Sequence, residues 1–164
     1  MKVQDILKAQ VGRCGPKTNL AEVVHVMWEN DCGIVPIVDE MNVVLGVLTD
    51  RDICMALGTR DRRAAELTAD EVASARVVTC HPRDDVRTVL DLMASEAVRR
   101  LPVVNDAGQL VGVVSISDAL LAARSKRDAR EGDPTWTDVM LALDTICRPR
   151  KAEPAHLPAA VRRR

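Results

Sequence analysis

The sequence predicts an α/β fold: two tandem copies of one β-α-β-β-α unit packed about a pseudo-two-fold axis, then a C-terminal helix and a disordered basic tail. Three observations carry this expectation. The first is an internal repeat. Pro36 and Pro102, Gly46 and Gly112, and Asp52 and Asp118 are each 66 residues apart, as are Cys14 and Cys80, Pro16 and Pro82, Val23 and Val89, Met27 and Met93, and Val38 and Val104. An open solenoid needs about three units, so two copies are expected to close on each other and make two equivalent clefts. The second is the periodicity inside each copy, where one segment of three-four apolar spacing is followed by two short β-branched runs. The third is a core palette without Phe or Tyr and with only Trp28 and Trp136 as aromatics. Val, Leu, Ile, Met and Ala must fill the interior, which suits thin layers of strands under helices.

Taken in order, residues 11–14 read as a short extended lead-in, and Pro16-Lys17-Thr18-Asn19 as a turn ending in a helix cap. Leu20, Val23, Val24, Met27 and Trp28 then mark an amphipathic helix that Asp31-Cys32-Gly33 stops. Residues 34–38 and 43–48 read as strands joined by a turn, and Thr49 as the cap of a helix reaching residue 57. Pro36 lies inside the first strand, so it marks a sheet edge or a place where backbone groups face a ligand. The second copy repeats this order: lead-in 77–79, helix from Val86, strands 101–104 and 110–114, and a helix opened by Ser115. The repeats span about 2–58 and 68–124 of a paired domain over residues 1–124, with residues 58–68 as a charged connection. A hinge is expected over 125–133 and a helix over 134–147, capped by Asp133 with Pro134 in its first turn. Its apolar stripe is Trp136, Val139, Met140, Leu143 and Cys147.

Residues 148–164 carry a net charge of +5, which leaves −6 for the rest of a chain whose total is −1. A basic, Pro- and Ala-rich end on an acidic body reads as a solvated tail. The near-neutral total gives no bulk attraction for nucleic acid or anionic lipid, and two tryptophans make no stacking platform for single strands. The longest apolar run, residues 43–48, cannot span a bilayer. Five cysteines, odd in number and without a Cys-x-x-Cys pair, and a start without a signal peptide point to a reducing cytoplasm. Cys14 and Cys80 are expected to fill core space, and Cys80-His81 lacks the further ligands a zinc site needs, so no metal is expected. His25 and His156 are expected to be solvated, and Asp84-Asp85 to serve helix capping. No Cys-His or Ser-His-Asp arrangement stands in a supporting context, so no catalytic residue is assigned.

Thr49-x-x-Asp52 and Ser115-x-x-Asp118 are the same hydroxyl-x-x-acid phrase at helix starts. Such a phrase is also a capping box, which closes the free N–H groups of a helix start and needs no ligand. The stretch 112–118, Gly-Val-Val-Ser-Ile-Ser-Asp, preceded by Arg99-Arg100-Leu101-Pro102-Val103-Val104, resembles the CBS domain pair, or Bateman module, and especially the nucleotide-binding repeats of the AMP-activated protein kinase gamma subunit. Gly46-Val47-Leu48-Thr49-Asp50-Arg51-Asp52-Ile53 resembles the form common in small bacterial CBS proteins. The resemblance covers about residues 2–124.

What the resemblance implies is a regulatory sensor of an adenosine ligand: AMP, ADP or ATP, with S-adenosylmethionine or NAD bound in some members. The motif Asp would hold the ribose diol, since one carboxylate accepts from both hydroxyls. Hydroxyls, a helix start and nearby cations would hold phosphate. The second-copy site would then use Ser115, Ser117, Asp118, Arg99 and Arg100, with Gly12 and Cys32 around the adenine. One of the two adjacent arginines should face the cleft. The first-copy site would use Thr49, Arg51, Asp52 and Ile34, with Val78 and Val98 around the adenine. A homodimer is expected through the helices starting at Leu20 and Val86 and those after Thr49 and Ser115, with Ala56, Ala119 and Ala122 allowing close approach. The module would regulate an unidentified partner protein; a dimeric scaffold with empty clefts is the rival reading.

Overall fold

The computed structural model describes residues 1–73, 76–124, 130 and 132–148. In the first copy α1 (Leu20–Glu29) leads to an antiparallel pair, β1 (Ile34–Val38) and β2 (Val44–Thr49), and then to α2 (Asp50–Arg60). After a short helical turn, α3 (Ala69–Val72), the second copy repeats the order with α4 (Val86–Glu96), β3 (Arg100–Val104), β4 (Leu110–Ser115) and α5 (Ile116–Ala122). The chain closes on α6 (Trp136–Cys147). Asn19 caps α1 as expected, accepting from the Glu22 N–H at 3.0 Å. Each β-pair carries its register irregularity at the same place, between Ile37 and Val38 and between Val103 and Val104.

The lead-in segments are shorter than the strands expected there, a single parallel bridge each: Cys14 with Ile37 and Cys80 with Val103. Proline explains the brevity. Cys14 N–H donates to Pro36 O at 3.1 Å and Cys80 N–H to Pro102 O at 3.1 Å. The prolines' own nitrogens face the same neighbours and have no hydrogen to give, so pairing stops before Gly12 and Val78. Pro36 therefore sits between two partners rather than on a sheet edge.

The pseudo-two-fold axis passes between Val43 and Gln109, which bridge each other and are themselves 66 positions apart. Val44 N–H donates to Gly108 O at 3.1 Å, and its mirror bond runs from Leu110 N–H to Asn42 O at 2.9 Å. The leaders of the two copies are exchanged about this axis. Val3 N–H donates to Asp84 O and Gln4 N–H to Pro82 O in the second copy, while Ala69 N–H donates to Thr18 O and Asp70 N–H to Pro16 O in the first. Val3 is buried with Val86, Leu90 and Met93, whereas Leu67 and Ala69 are buried with Leu20, Val23 and Ile53. Each copy's core is thus closed by the other's leader, so neither buries its apolar face alone. The connection read from sequence as an open linker holds this structure: α2 runs on to Arg60, and Ala64–Glu66 forms a further turn.

The repeated glycines have a packing cause. A side chain on Gly112 would begin 2.4 Å from the Lys8 carbonyl oxygen, because the first leader crosses β4 there and exchanges two hydrogen bonds with Val113. Gly46 lies equivalently beneath Ala73, with more room at 3.4 Å.

α6 packs along α4 and α5, burying Val139 and Ala142, with Leu143 and Ile146 half-buried beside them. This corrects the expected stripe: Trp136, Met140 and Cys147 face outward, and Val139-Ala142-Leu143-Ile146 faces inward. The cap is Thr135 rather than Asp133, since its side chain accepts from the Asp138 N–H. Asp133 instead lies near the chain's amino terminus at 3.9 Å. Arg124, bridged to Thr135, ties the start of α6 to the end of the second copy. Two further corrections follow for the expected dimer face. Ala56 and Ala119 point into the protein's own core at 5% and 2% exposure, and α6 already lies across α4. Most of the expected hinge over 125–133 and of the tail over 148–164 lies outside the described residues; Arg148, within them, pairs with Asp144 at 2.6 Å.

Candidate functional site

Both hydroxyl-x-x-Asp phrases start helices and close complete capping boxes. Asp52 Oδ2 accepts from the Thr49 N–H at 2.9 Å and the Thr49 hydroxyl at 2.6 Å, and the Asp52 N–H donates back to Thr49 Oγ1 at 3.2 Å. Ser115 and Asp118 repeat this at 2.8, 2.5 and 3.2 Å. Among the described residues no hydrogen bond engages Oδ1 of either aspartate, so each keeps one oxygen for another donor. A third instance was missed in the sequence. Thr135 and Asp138 form the same box at the start of α6, where Asp138 Oδ2 also accepts from Arg87 Nε at 3.1 Å. Burial pushes the Asp138 carboxyl up, but the Thr135 N–H and hydroxyl and the Arg87 guanidinium outweigh it and hold it below the ordinary value. The phrase therefore caps helices away from the inter-copy clefts as well.

Pairing within each copy brings the strand start to the helix start: Ile34 faces Thr49 and Arg100 faces Ser115. The two arginines then diverge. Arg99 Nη2 donates to Cys147 Sγ at 3.7 Å, at the end of α6, and so turns away from its expected place beside Ser115 and Asp118. Arg100 reaches across to the first copy, where its Nη1 lies 3.6 Å from the point at which a Gly33 side chain would begin. Asp50 Oδ2 lies 3.0 Å from the same point. The cation expected to serve the second-copy cleft thus stands opposite the start of α2.

Of the remaining candidates, Ser117 and Arg51 are exposed on the first turns of α5 and α2, and Ile34 is buried in β1. Cys32, Val78 and Val98 are half-buried against the two cores. Gly12 packs tightly on α1, since a side chain there would begin 2.5 Å from Val26 Cγ1. The carbonyls of Gly12 and Val78, facing the nitrogens of Pro36 and Pro102, accept no backbone hydrogen bond among the described residues. A feature absent from the sequence reading is an open groove of about 1110 Å³ between residues 13–18 and 38–41. It contains neither hydroxyl-x-x-Asp phrase and is broadly open to solvent.

Burial pushes the Cys14 thiol up to about 11, and burial together with the nearby Asp84 charge pushes the Cys80 thiol up to about 12. Both stay protonated at neutral pH and fill core space, since a metal or an electrophile takes the thiolate. Among the described residues no group of three or more His, Cys, Asp or Glu side chains is placed to hold a metal ion. His25 is exposed and pairs with Glu29 at 3.1 Å. Asp84 accepts from the His81 N–H at 2.7 Å, and Asp85, at the start of α4, pairs with Lys2 at 3.1 Å. No described helix is long and apolar enough to cross a membrane.

The family model for the CBS domain matches twice, over residues 3–59 and 69–125. The CBS domain-containing protein YhcV of Bacillus subtilis is 33% identical over 127 residues, covering 77% of this chain and 89% of that one. Hypoxic response protein 1 of Mycobacterium tuberculosis is 32% identical over 118 residues, covering 70% and 80%. The chain spans 61% of the length of a further relative, MK0525 of Methanopyrus kandleri, at 29% identity over 120 residues. Among solved structures, the CBS domain pair of protein MJ0100 in complex with 5′-methylthioadenosine and S-adenosyl-L-methionine aligns with a TM-score of 0.68 at 26% identity, covering 74% of this chain and 94% of that one. Hypoxic Response Protein I with two coordinated zinc ions aligns with a TM-score of 0.69 at 28% identity, covering 76% and 100%. Two family matches related by the 66-residue shift, closed about one pseudo-two-fold axis, show that the chain belongs to the CBS domain family as a tandem pair with a helix added at its end.

Proposed function

We propose that this protein is a regulatory module that binds an adenosine ligand of the AMP, ADP or ATP type between its two CBS copies and acts on a partner protein, without chemistry of its own. The observation that carries this reading is the paired disposition of Asp52 and Asp118. Each is fixed by its capping box through Oδ2 and presents Oδ1 at a helix start. A ribose diol needs such a held carboxylate, and the helix start adds N–H donors and positive potential for a phosphate. The free carbonyls of Gly12 and Val78 suit the amino group of adenine. CBS pairs that bind adenosine compounds, such as MJ0100, support the ligand class. The setting we assign is cytoplasmic, with a homodimer formed through α1 and α2, whose outer faces expose Val24, Trp28 and Met55.

Thermal denaturation with AMP, ADP, ATP, NAD and S-adenosylmethionine tests the reading. A ligand at 100 times its dissociation constant adds about 2.7 kcal/mol of stability. Asp118→Ala and Asp52→Ala should each weaken binding by about 1.5–3 kcal/mol through loss of a charged acceptor. No stabilisation by any of these compounds at millimolar concentration would remove the ligand reading. A scaffold with empty clefts is favoured by one observation: each of the three hydroxyl-x-x-Asp phrases closes a complete capping box from its own side chains. It predicts that both alanine variants lose helix-cap stability while no adenosine compound stabilises the wild-type chain.

A further inference from the structure

The two inter-copy clefts are not chemically equal. Asp50 and Arg100 both approach the empty side-chain position of Gly33, the carboxylate from the first turn of α2 at 3.0 Å and the guanidinium from the start of β3 at 3.6 Å. The 66-residue shift carries Asp50 onto Ile116, Arg100 onto Ile34 and Gly33 onto Arg99. Ile34 and Ile116 are each only 8% exposed, and Arg99 is turned to Cys147. An acid and a base therefore stand in one half where the matched positions of the other hold two buried isoleucines.

We infer that Asp50 sets the charge preference of the first-copy cleft, favouring adenosine ligands with an uncharged or cationic 5′ substituent over those with phosphates. The inference rests on the adenosine-cleft reading above and deepens it. An incoming phosphate would be attracted by Arg100 and repelled by the like charge of Asp50, so the two effects offset each other. A thioether escapes that repulsion, and a sulfonium is attracted by the same carboxylate. A side chain at Gly33 would begin 3.0 Å from Asp50 Oδ2 and crowd it. The opposite cleft has no acid at the equivalent position and lacks this discrimination.

The test is calorimetric titration, fitted for two sites, of the full chain and Asp50→Asn with 5′-methylthioadenosine, S-adenosylmethionine, AMP and ATP. Asp50→Asn should raise ATP affinity at one site by about tenfold, raise AMP affinity less, lower S-adenosylmethionine affinity and leave 5′-methylthioadenosine unchanged. Adding Arg100→Gln should lower ATP affinity again, because it removes the cation that attracts the phosphates. Equal changes for ATP and 5′-methylthioadenosine, which a general loosening of the fold would cause, overturn the inference. So does retained binding with no dependence on ligand charge. If the wild-type chain binds none of the four compounds, the adenosine-cleft reading falls and this inference with it, an outcome distinct from the other two.

Discussion

Leu90 and Val24 occupy the same place in the repeat, yet Leu90 is 2% exposed and Val24 45%. Four positions on, Ala94 is half-buried whereas its counterpart Trp28 is 84% exposed. The cause is α6, which covers the outer face of α4 and has no equivalent over α1 among the described residues. The same asymmetry appears at the matched arginines, where Arg99 is taken up by the end of α6 and Arg100 reaches Gly33 of the first copy. An internal repeat thus fixes a common scaffold while leaving its two outer faces and two clefts free to differ. What distinguishes them is one appended helix and a few substitutions at matched positions.

Removing α6 should break the comparison most directly. Ending the chain at Gly132 exposes Leu90 and costs the burial of Val139, Ala142, Leu143 and Ile146, on the order of 1.5–3 kcal/mol per large side chain before entropy is counted. The melting temperature should fall clearly, whereas ending the chain at Arg148 should leave it nearly unchanged. An equal melting temperature for all three lengths would show that the α4 face tolerates exposure as α1 does.

Single substitutions sharpen the same contrast. Leu90→Ala should cost about 2–5 kcal/mol at any protein concentration, and Val24→Ala should stay within about 0.5 kcal/mol of wild type at concentrations too low for the dimer. Chemical denaturation showing a large loss for Val24→Ala would mean that α1 is covered in solution, as a homodimer through that face requires.

The glycines offer a smaller difference. Gly112→Ala places its Cβ 2.4 Å from the Lys8 carbonyl oxygen and must push the leader off β4, costing about 1–3 kcal/mol. Gly46→Ala meets the Ala73 side chain at 3.4 Å and should cost less. Similar losses at both sites would mean that the leaders relax more readily than their hydrogen bonds suggest.

The smallest expected effect is acidic. The Asp138 carboxyl is held below the ordinary value of 3.8, so its pairing stabilises the fold above that pH and is lost as pH falls through the lower folded value. Below about pH 4 the wild-type chain should lose stability more steeply than Asp138→Asn, as measured by melting across pH 2–6. Parallel curves would assign the acid sensitivity to other carboxylates.

The periodicity of α1 and α4, the β-branched runs of β1 to β4 and the 66-residue shift are local properties of the chain. They made the layered order and the two-fold pairing legible. The hydroxyl-x-x-Asp phrases were equally legible as helix starts, since a capping box spans only four residues. The direction of Arg99 and Arg100 was not, because a long side chain at a strand start is placed by whatever lies opposite it. For Arg99 that is Cys147, for Arg100 the gap left by Gly33, and both are remote in sequence. The exchanged leaders left a faint trace in the matched positions Val3 and Ala69, but which copy each closes depends on the space left in the partner's core. The face α6 presents was also decided in three dimensions. Its sequence carries apolar residues nearly all round, so the stripe alone could not orient it. The groove along α4 and α5 selected Val139 and Ala142 for burial and left Trp136 and Met140 to solvent. Short-range patterning thus determined the elements and their order, while contacts across the pseudo-two-fold axis and with α6 decided which of the repeated positions face a neighbouring element, a core or water.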